Sequence, residues 1–477
     1  MQTQAKPHTT AAHAALPPGP APRWAGLPLM RAMREDYLGH MSRLQQRWGD
    51  VVYQRLLHLH DYSFFHPEQV RELLVAGHER LIRWERGTEV FASAHGQSVL
   101  VAEGAPWKRQ RQMLQPGFSP KRVEGFAPLM VQAAQSALRH WEAQAGQAAF
   151  PFEAAMTQLT MDVILRSLFS RADVGASTVS AQAAEAVHVL GVEAMAEMYW
   201  PASAPLWAPW KGAKRRALRT LEQLVRGELA RRRALPEGAV PPEDLLQMLL
   251  GLRDEQGRAL DEQALRDECM TIFLAGHETS ASALSWWGWC MAAHPQAQAQ
   301  AAAEVQALLG EGPRARAPHV ADLTQLPWLQ ASLKEALRLY PPGAALFTRR
   351  LTQPLSVAGY ELPPGALLRL TPWVMQRDPR WFQEPAAFRP ERFDPASGHP
   401  EIPRGAWMPF GVGPRVCLGS HFALTEMGLI AALILQRYEL QPLPGAPAPR
   451  PVLNITLRPA QPLQLVLKPR WRAPARQ

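Results

Sequence analysis

Residues 261–293 read as a single helix of more than thirty residues, and this element constrains the fold more than any other. At about 1.5 Å per residue it is long enough to cross a whole domain. Its pattern changes character at Ala275-Gly276-His277-Glu278-Thr279-Ser280. Gly276 weakens the helix, and Thr279 can bond a carbonyl one turn back or offer its hydroxyl to something lying in the groove. A local opening of the ladder would make room for a diatomic ligand and water. Taken alone, the stretch has a plain helix kink as its competing reading. A zinc-protease reading of His277-Glu278 fails, because the second histidine would fall at Ala281.

A second stretch, Phe410-Gly411-Val412-Gly413-Pro414-Arg415-Val416-Cys417-Leu418-Gly419, runs straight into another helical pattern. Its closely spaced glycines let the backbone fold tightly. Arg415 stands two residues before the sulfur, and the helix starting near Leu418 aims backbone N–H groups at whatever sits on Cys417. That environment favours a thiolate. Without a second cysteine or histidine at metal-cage spacing, it fits an axial haem ligand better than a zinc site. The competing reading is a buried structural cysteine. A phosphate-loop reading fails, since the third glycine falls at Gly419 and no Gly-Lys-Ser/Thr occurs.

Phe410, Gly411, Gly413, Arg415, Cys417 and Gly419, followed by Ala423 and Glu426, match the haem-binding loop of the cytochrome P450 family position by position. The resemblance extends over residues 40–468, with five motifs in the family's order. It implies a mainly α fold with a minor β region, haem b lying between the long central helix and the Cys417 loop. Residues 275–280 resemble the family's oxygen-activation motif. That likeness implies an opening at Gly276, proton collection by Glu278, and a proton-passing water held by Thr279, with Ala275 beside the cofactor. Trp107 and Arg111, four apart on one helix face, resemble the pair that reaches a haem propionate. Arg349, or alternatively Arg350, and Arg415 are expected to hold the porphyrin with them, and Phe410, Gly411, Gly419 and Ala423 to cradle it. The same resemblance makes Glu335, Arg338 and Arg392 a buried structural triad fixing the meander before the loop. Gln376 departs from the family pattern, which often has histidine there, and this leaves one hydrogen bond near the haem open.

Composition agrees with a compact globular enzyme: 477 residues, 47% hydrophobic and 19% charged. The net charge of +9 raises the question of an acidic partner. The densest basic runs, residues 211–215 and 226–233, share a helix with Leu and Glu, which argues against nucleic-acid binding. Cys269, Cys290 and Cys417 cannot form a disulfide framework, which implies a reducing, cytoplasmic setting. No apolar run has the length of a signal peptide or transmembrane anchor, so a soluble, bacterial-type monomer is expected. The expected organisation is a disordered leader at 1–24, one domain at 25–470 and a basic tail at 471–477. Residues 51–57 and 62–65 suggest a hairpin, residues 152–170 a core helix, and residues 453–457 and 463–467 a second hairpin. The Trp-rich loop at 199–210 reads as a lid over an apolar entrance.

The expected function is a haem-thiolate monooxygenase that activates O2 and hydroxylates or epoxidises a fatty acid, alkane or terpenoid. Phe91, Trp200, Trp207, Phe273, Ala275, Ala344, Leu346 and Phe347 are candidates for a hydrophobic pocket. Electrons would come from NAD(P)H through a separate ferredoxin or flavodoxin and its reductase. The rivals are a peroxide-driven peroxygenase or a non-oxygenating isomerase on the same scaffold, and, more remotely, a haem-binding sensor or carrier.

Overall fold

The computed structural model describes residues 16–146, 148–171, 178–200, 202–312 and 315–471. Residues 1–15 of the expected leader and 472–477 of the expected tail lie outside the described residues. Residues 16–24, expected to be disordered, instead lie along the first strand, where Tyr53 donates its N–H to Pro18 O at 3.0 Å. Pro17, Pro18 and Pro20 stiffen this segment. Gly19 permits the close approach, since a Cβ there would sit 1.8 Å from Tyr53 O.

Helices α1 (Leu27–Glu35) and α2 (Tyr37–Trp48) precede strands β1 (Val51–Leu56) and β2 (Leu59–Phe64). The short α3 (Pro67–Arg71) leads to β3 (Leu81–Arg83), α4 (Glu85–His95), α5 (Gly104–Leu114) and α6 (Pro120–Glu142). Next come α7 (Phe152–Phe169), α8 (Thr178–Met198), α9 (Gly212–Arg233) and α10 (Leu245–Gly251). The central α11 (Glu262–Ala293) is followed by α12 (Pro295–Leu309) and α13 (Pro327–Leu339). Strands β4 (Arg349–Leu351), β5 (Leu355–Val357), β6 (Tyr360–Leu362) and β7 (Leu367–Leu370) lead to α14 (Pro372–Met375) and α15 (Ser420–Arg437). The chain closes with β8 (Tyr438–Pro442), β9 (Pro451–Asn454), β10 (Thr456–Pro459) and β11 (Leu465–Pro469). The fold is thus mainly helical with a small β region, whose largest sheet has the order β1-β2-β7-β4-β3. Within it β2 and β7 pair in parallel.

Asp261 caps α11 by accepting the Ala264 N–H at 2.7 Å, satisfying one of the donors a helix start leaves open. The helix then continues without a break to Ala293, so the expected opening at 275–280 is not present. Thr279 instead gives its hydroxyl to Ala275 O at 2.7 Å, the back-bond a mid-helix threonine favours. Helix α7 packs along α11 and is buried throughout Leu159–Phe169, as a core helix should be. Gly288 lets α7 come close, since a Cβ there would lie 2.2 Å from Phe152 Cε1.

The second expected hairpin is corrected. Residues 453–457 turn on themselves, β9 pairing with β10 around Ile455, while β11 pairs with β8. Ser282 and Trp286 of α11 donate to Leu457 O at 2.6 and 2.9 Å, which anchors the β9–β10 hairpin to the central helix.

Below α11, Arg338 and Glu335 of α13 are fully buried and joined by two 2.7 Å hydrogen bonds. Arg392 reaches Glu335 at 3.3 Å, and Arg338 also donates to the carbonyls of Gln376, Pro385 and Ala387. Gln376 donates to Leu337 O and Arg338 O and accepts the Met408 N–H at 2.8 Å, so the glutamine ties α13 to the segment entering the Cys417 loop. Replacing Arg338 with leucine would remove the two-bonded partner of the buried Glu335 carboxylate and leave it the longer contact to Arg392. Chemical denaturation should show a loss of about 3–5 kcal/mol, and a loss below about 1 kcal/mol would show that the triad is not what fixes this segment.

Candidate active site

The Cys417 loop is built by two left-handed glycines. Gly411 has φ 73° and Gly413 φ 79°, and Gly413 passes so near residue 74 that a Cβ would meet Leu74 O at 2.1 Å. The turn closes where Cys417 donates its N–H to Phe410 O at 2.9 Å. α15 begins just beyond, and Gly419 offers its backbone N–H to the sulfur. The Cys417 side chain is accessible and lines a cavity. Burial pushes its thiol pKa up, while the Gly419 N–H and Arg111 pull it down.

That cavity has a volume of about 1020 Å³ and is bounded on the opposite side by α11. Ala275, Gly276, Glu278 and Thr279 line it from α11; Phe410, Gly411, Arg415, Cys417, Gly419 and Ala423 line it from the loop and α15. Trp107, Arg111 and Arg349 lie on its rim. Two walls separated by about 140 residues of sequence therefore face each other across one space.

The rim carries an excess of positive charge. Arg415 lies over the Trp107 ring at 4.1 Å and donates to Ala102 O and Glu103. Arg349 donates to Phe347 O at 2.8 Å, and burial, then Arg415, lowers its pKa to about 10. Burial also lowers Arg111 and Arg415. A fourth guanidinium, Arg83 at the end of β3, has no motif to announce it. Its Nε and one Nη are buried without a hydrogen-bond partner among the described residues, and burial followed by Arg349 and Arg415 pushes its pKa well down. It stacks over the Phe347 ring at 4.5 Å. Arg350, the alternative to Arg349, is paired with Glu85 at 2.8 Å.

Of the expected pocket residues, Phe91, Trp200, Ala275, Leu346 and Phe347 line the cavity, and the Phe91 and Phe347 rings meet at 5.0 Å. Phe273, Ala344 and Trp207 do not. Phe273 shares a stripe of α11 with Cys269 and His277, four residues apart, that turns into the protein core. Ala344 packs with Leu38 and Leu457, and Trp207 is 78% exposed. Trp200 alone of that loop's tryptophans reaches the cavity.

Glu278 Oε1 accepts from Arg458 at 2.9 Å and from Thr456 at 3.3 Å, which leaves Oε2 without a hydrogen bond among the described residues. Arg458 continues to Glu153 at 3.3 Å. No motif marks Arg458, which lies on the β9–β10 hairpin whose pairing the apolar alternation does not specify. Two residues further along α11, Ser280 donates to Glu426 Oε2 of α15 at 2.6 Å, and burial raises the Glu426 carboxyl to about 8.

The family model for cytochrome P450 matches residues 17–467. The chain belongs to the cytochrome P450 family. Among its relatives it is 33% identical to cyclooctatin synthase of Streptomyces melanosporofaciens, over 98% of this chain and 99% of the relative. It is 32% identical to cyclooctat-9-en-7-ol 5-monooxygenase of the same organism, over 86% and 88%. It is 30% identical to the putative cytochrome P450 135A1 of Mycobacterium tuberculosis, over 96% of each. As a member of this cytochrome P450 family the chain is a monooxygenase, a class that uses haem, O2 and reducing equivalents on hydrophobic substrates. No helix among the described residues is long and apolar enough to cross a membrane.

Glu426 makes one consequence measurable. Its carboxyl is neutral in the fold up to about pH 8 but ionises near pH 4.5 when unfolded. Its contribution to stability is therefore full below pH 4.5 and is lost as pH rises towards 8. Glu426→Gln should flatten the fall in urea midpoint between about pH 5 and about pH 8; an unchanged slope would contradict the neutral, buried carboxyl.

Proposed function

We propose that this chain inserts one atom of O2 into a hydrophobic small molecule held between α11 and the Cys417 loop. The observation that carries the reading is the placement of Cys417 across one cavity from Gly276, Glu278 and Thr279. Cys417 would hold haem b through its thiolate, and the bound group would supply the oxygen activation.

The residues present fit that group. Four guanidiniums converge on the rim with Glu103 as the carboxylate among them, and Arg83 has buried donors unsatisfied. Two propionate carboxylates would neutralise this excess and satisfy those donors. Trp107, Arg111, Arg349 and Arg415 would hold them, with Arg83 added to the set. Arg349 suits the role better than Arg350, which Glu85 already occupies. Ala275 and Gly276 above, and Phe410, Gly411, Gly419 and Ala423 below, leave room for a flat ring between them. Beside a cationic iron the buried Cys417 sulfur would give up its proton, completing what Gly419 and Arg111 begin.

Glu278 is suited to carry protons because Arg458 and Thr456 fix Oε1 and leave Oε2 free. The Glu153–Arg458–Glu278 chain leads from the half-buried margin to the cavity. Thr279 would release Ala275 O and use its hydroxyl to position the water that receives the proton.

The lining suits fatty acids, alkanes and terpenoids alike. The names of two relatives, cyclooctatin synthase and cyclooctat-9-en-7-ol 5-monooxygenase, favour the terpenoid class. Reducing equivalents from NAD(P)H would arrive through a ferredoxin or flavodoxin and its reductase. A shallow groove behind the Cys417 loop, bordered by Lys108, Pro414 and Val416, offers such an acidic carrier a docking place.

With O2, a reconstituted electron donor and a converted substrate, Thr279→Ala should keep consuming reductant while product per reductant falls about tenfold or more. Hydrogen peroxide should rise to match. Unchanged coupling would contradict the role given to Thr279 and favour a peroxide-driven or non-catalytic use of the scaffold.

A further inference from the structure

The chemistry above leaves a polar group of side chains unused in a mostly apolar cavity. Glu268 and Thr271 lie one turn apart on α11, and residues 95–99 run beside them. Thr271 gives its hydroxyl to Ser98 Oγ at 2.6 Å and lies 3.1 Å from His95 Nδ1. Val99 donates its N–H to Glu268 Oε1 at 2.9 Å. Glu268, Thr271 and His95 all line the cavity.

Two of their atoms have no partner among the described residues. Glu268 is 1% exposed, and its Oε2 is buried without a hydrogen bond. His95 is engaged through Nδ1 alone. A buried polar atom left without a partner is costly, and native structures rarely keep one without a use for it. The pattern of donors fixes what would fit. Since Thr271 spends its proton on Ser98, the 3.1 Å contact requires His95 Nδ1 to be the donor, which leaves Nε2 as a bare acceptor. Burial keeps that ring neutral, lowering its pKa to about 3. Burial also raises the Glu268 carboxyl to about 8, so near neutral pH it can offer an O–H. A group that both donates and accepts is called for. Ketones, ethers and an ionised fatty-acid carboxylate only accept, and so give His95 Nε2 no proton.

We propose that His95, Glu268 and Thr271 form a subsite for a hydroxyl of the substrate, so that the molecule oxidised is an elongated apolar alcohol. This rests on the reading of the cavity as the oxygenation site. Thr271 and Glu268 precede Thr279 by eight and eleven residues, or about 12 and about 16 Å along a straight helix. The hydroxyl would therefore be held far from the carbon that is oxidised, which sets regiochemistry by chain length.

Equilibrium dialysis of the haem-loaded protein against labelled 1-dodecanol, dodecyl methyl ether and n-tridecane tests this. In a purely apolar cavity the hydrocarbon should bind best, because the alcohol must give up water for nothing. The subsite instead requires the wild type to bind 1-dodecanol about tenfold tighter than either comparator. Glu268→Leu and His95→Phe should each erase that preference while n-tridecane binding is kept. The proposal is overturned if the ether or hydrocarbon matches the alcohol in the wild type, or if a variant that still binds n-tridecane retains the preference. The wild-type ranking decides even where a variant does not fold. Dialysis needs no turnover, so failure of oxygenation would count against the function proposed above without erasing this ranking.

Discussion

The 2.6 Å hydrogen bond from Ser280 to Glu426, wholly buried, joins α11 directly to the helix that leaves the Cys417 loop. On it depends the facing of the two walls of the cavity, because Gly276 and Thr279 lie within one turn of Ser280, and Glu426 lies on the same helix as Ala423. The loop itself is held from the other side. Gln376 fixes Met408 just ahead of it, and the Glu335–Arg338–Arg392 cluster fixes the segment before that. A buried ion cluster of this kind adds little net stability over apolar packing, but it penalises other arrangements heavily. Here that penalty is used to hold a cysteine in one place relative to a helix it does not touch in sequence.

The charge distribution carries the same logic to the rim. Desolvation makes each of Arg83, Arg111, Arg349 and Arg415 costly, and Glu103 compensates only part of it. An uncompensated excess of buried guanidinium is a stored preference for anions. On the α11 side the balance is reversed, with Glu278 and Glu153 matched by Arg458. One part of the cavity thus carries an excess of guanidinium and another a balanced carboxylate–guanidinium chain, with apolar walls between.

The parts of the site that lie in one short stretch were legible in the sequence. The Cys417 loop, residues 275–280 and the Trp107–Arg111 pair each have fixed local spacing, and the structure brings Cys417, Ala275, Gly276, Glu278, Thr279, Trp107 and Arg111 to one cavity. What required the fold was whatever depends on phase or on distant pairing. Phe273 looks like a lining residue by sequence proximity to Ala275, but the helical repeat turns it into the core. Arg458 and Arg83 sit on short strands whose partners are not specified locally. The order in the last strands was misread because alternating apolar residues mark a strand without naming its neighbour. The helix at 261–293 was placed to within a residue, while its continuity through Gly276 was not foreseen, since a glycine lowers helix propensity but surrounding packing overrides it.

The central claim is that Cys417 faces Gly276 and Thr279 of α11 across the cavity as a thiolate ligand. It is tested most directly by the absorbance of the dithionite-reduced, carbon-monoxide-treated protein, compared with that of Cys417→His, in which a nitrogen ligand replaces sulfur. The account predicts the strongly red-shifted Soret band of a thiolate-ligated haem in the wild type and its loss in the variant, with haem still bound. A wild type without that band, or a variant that keeps it, would contradict the account.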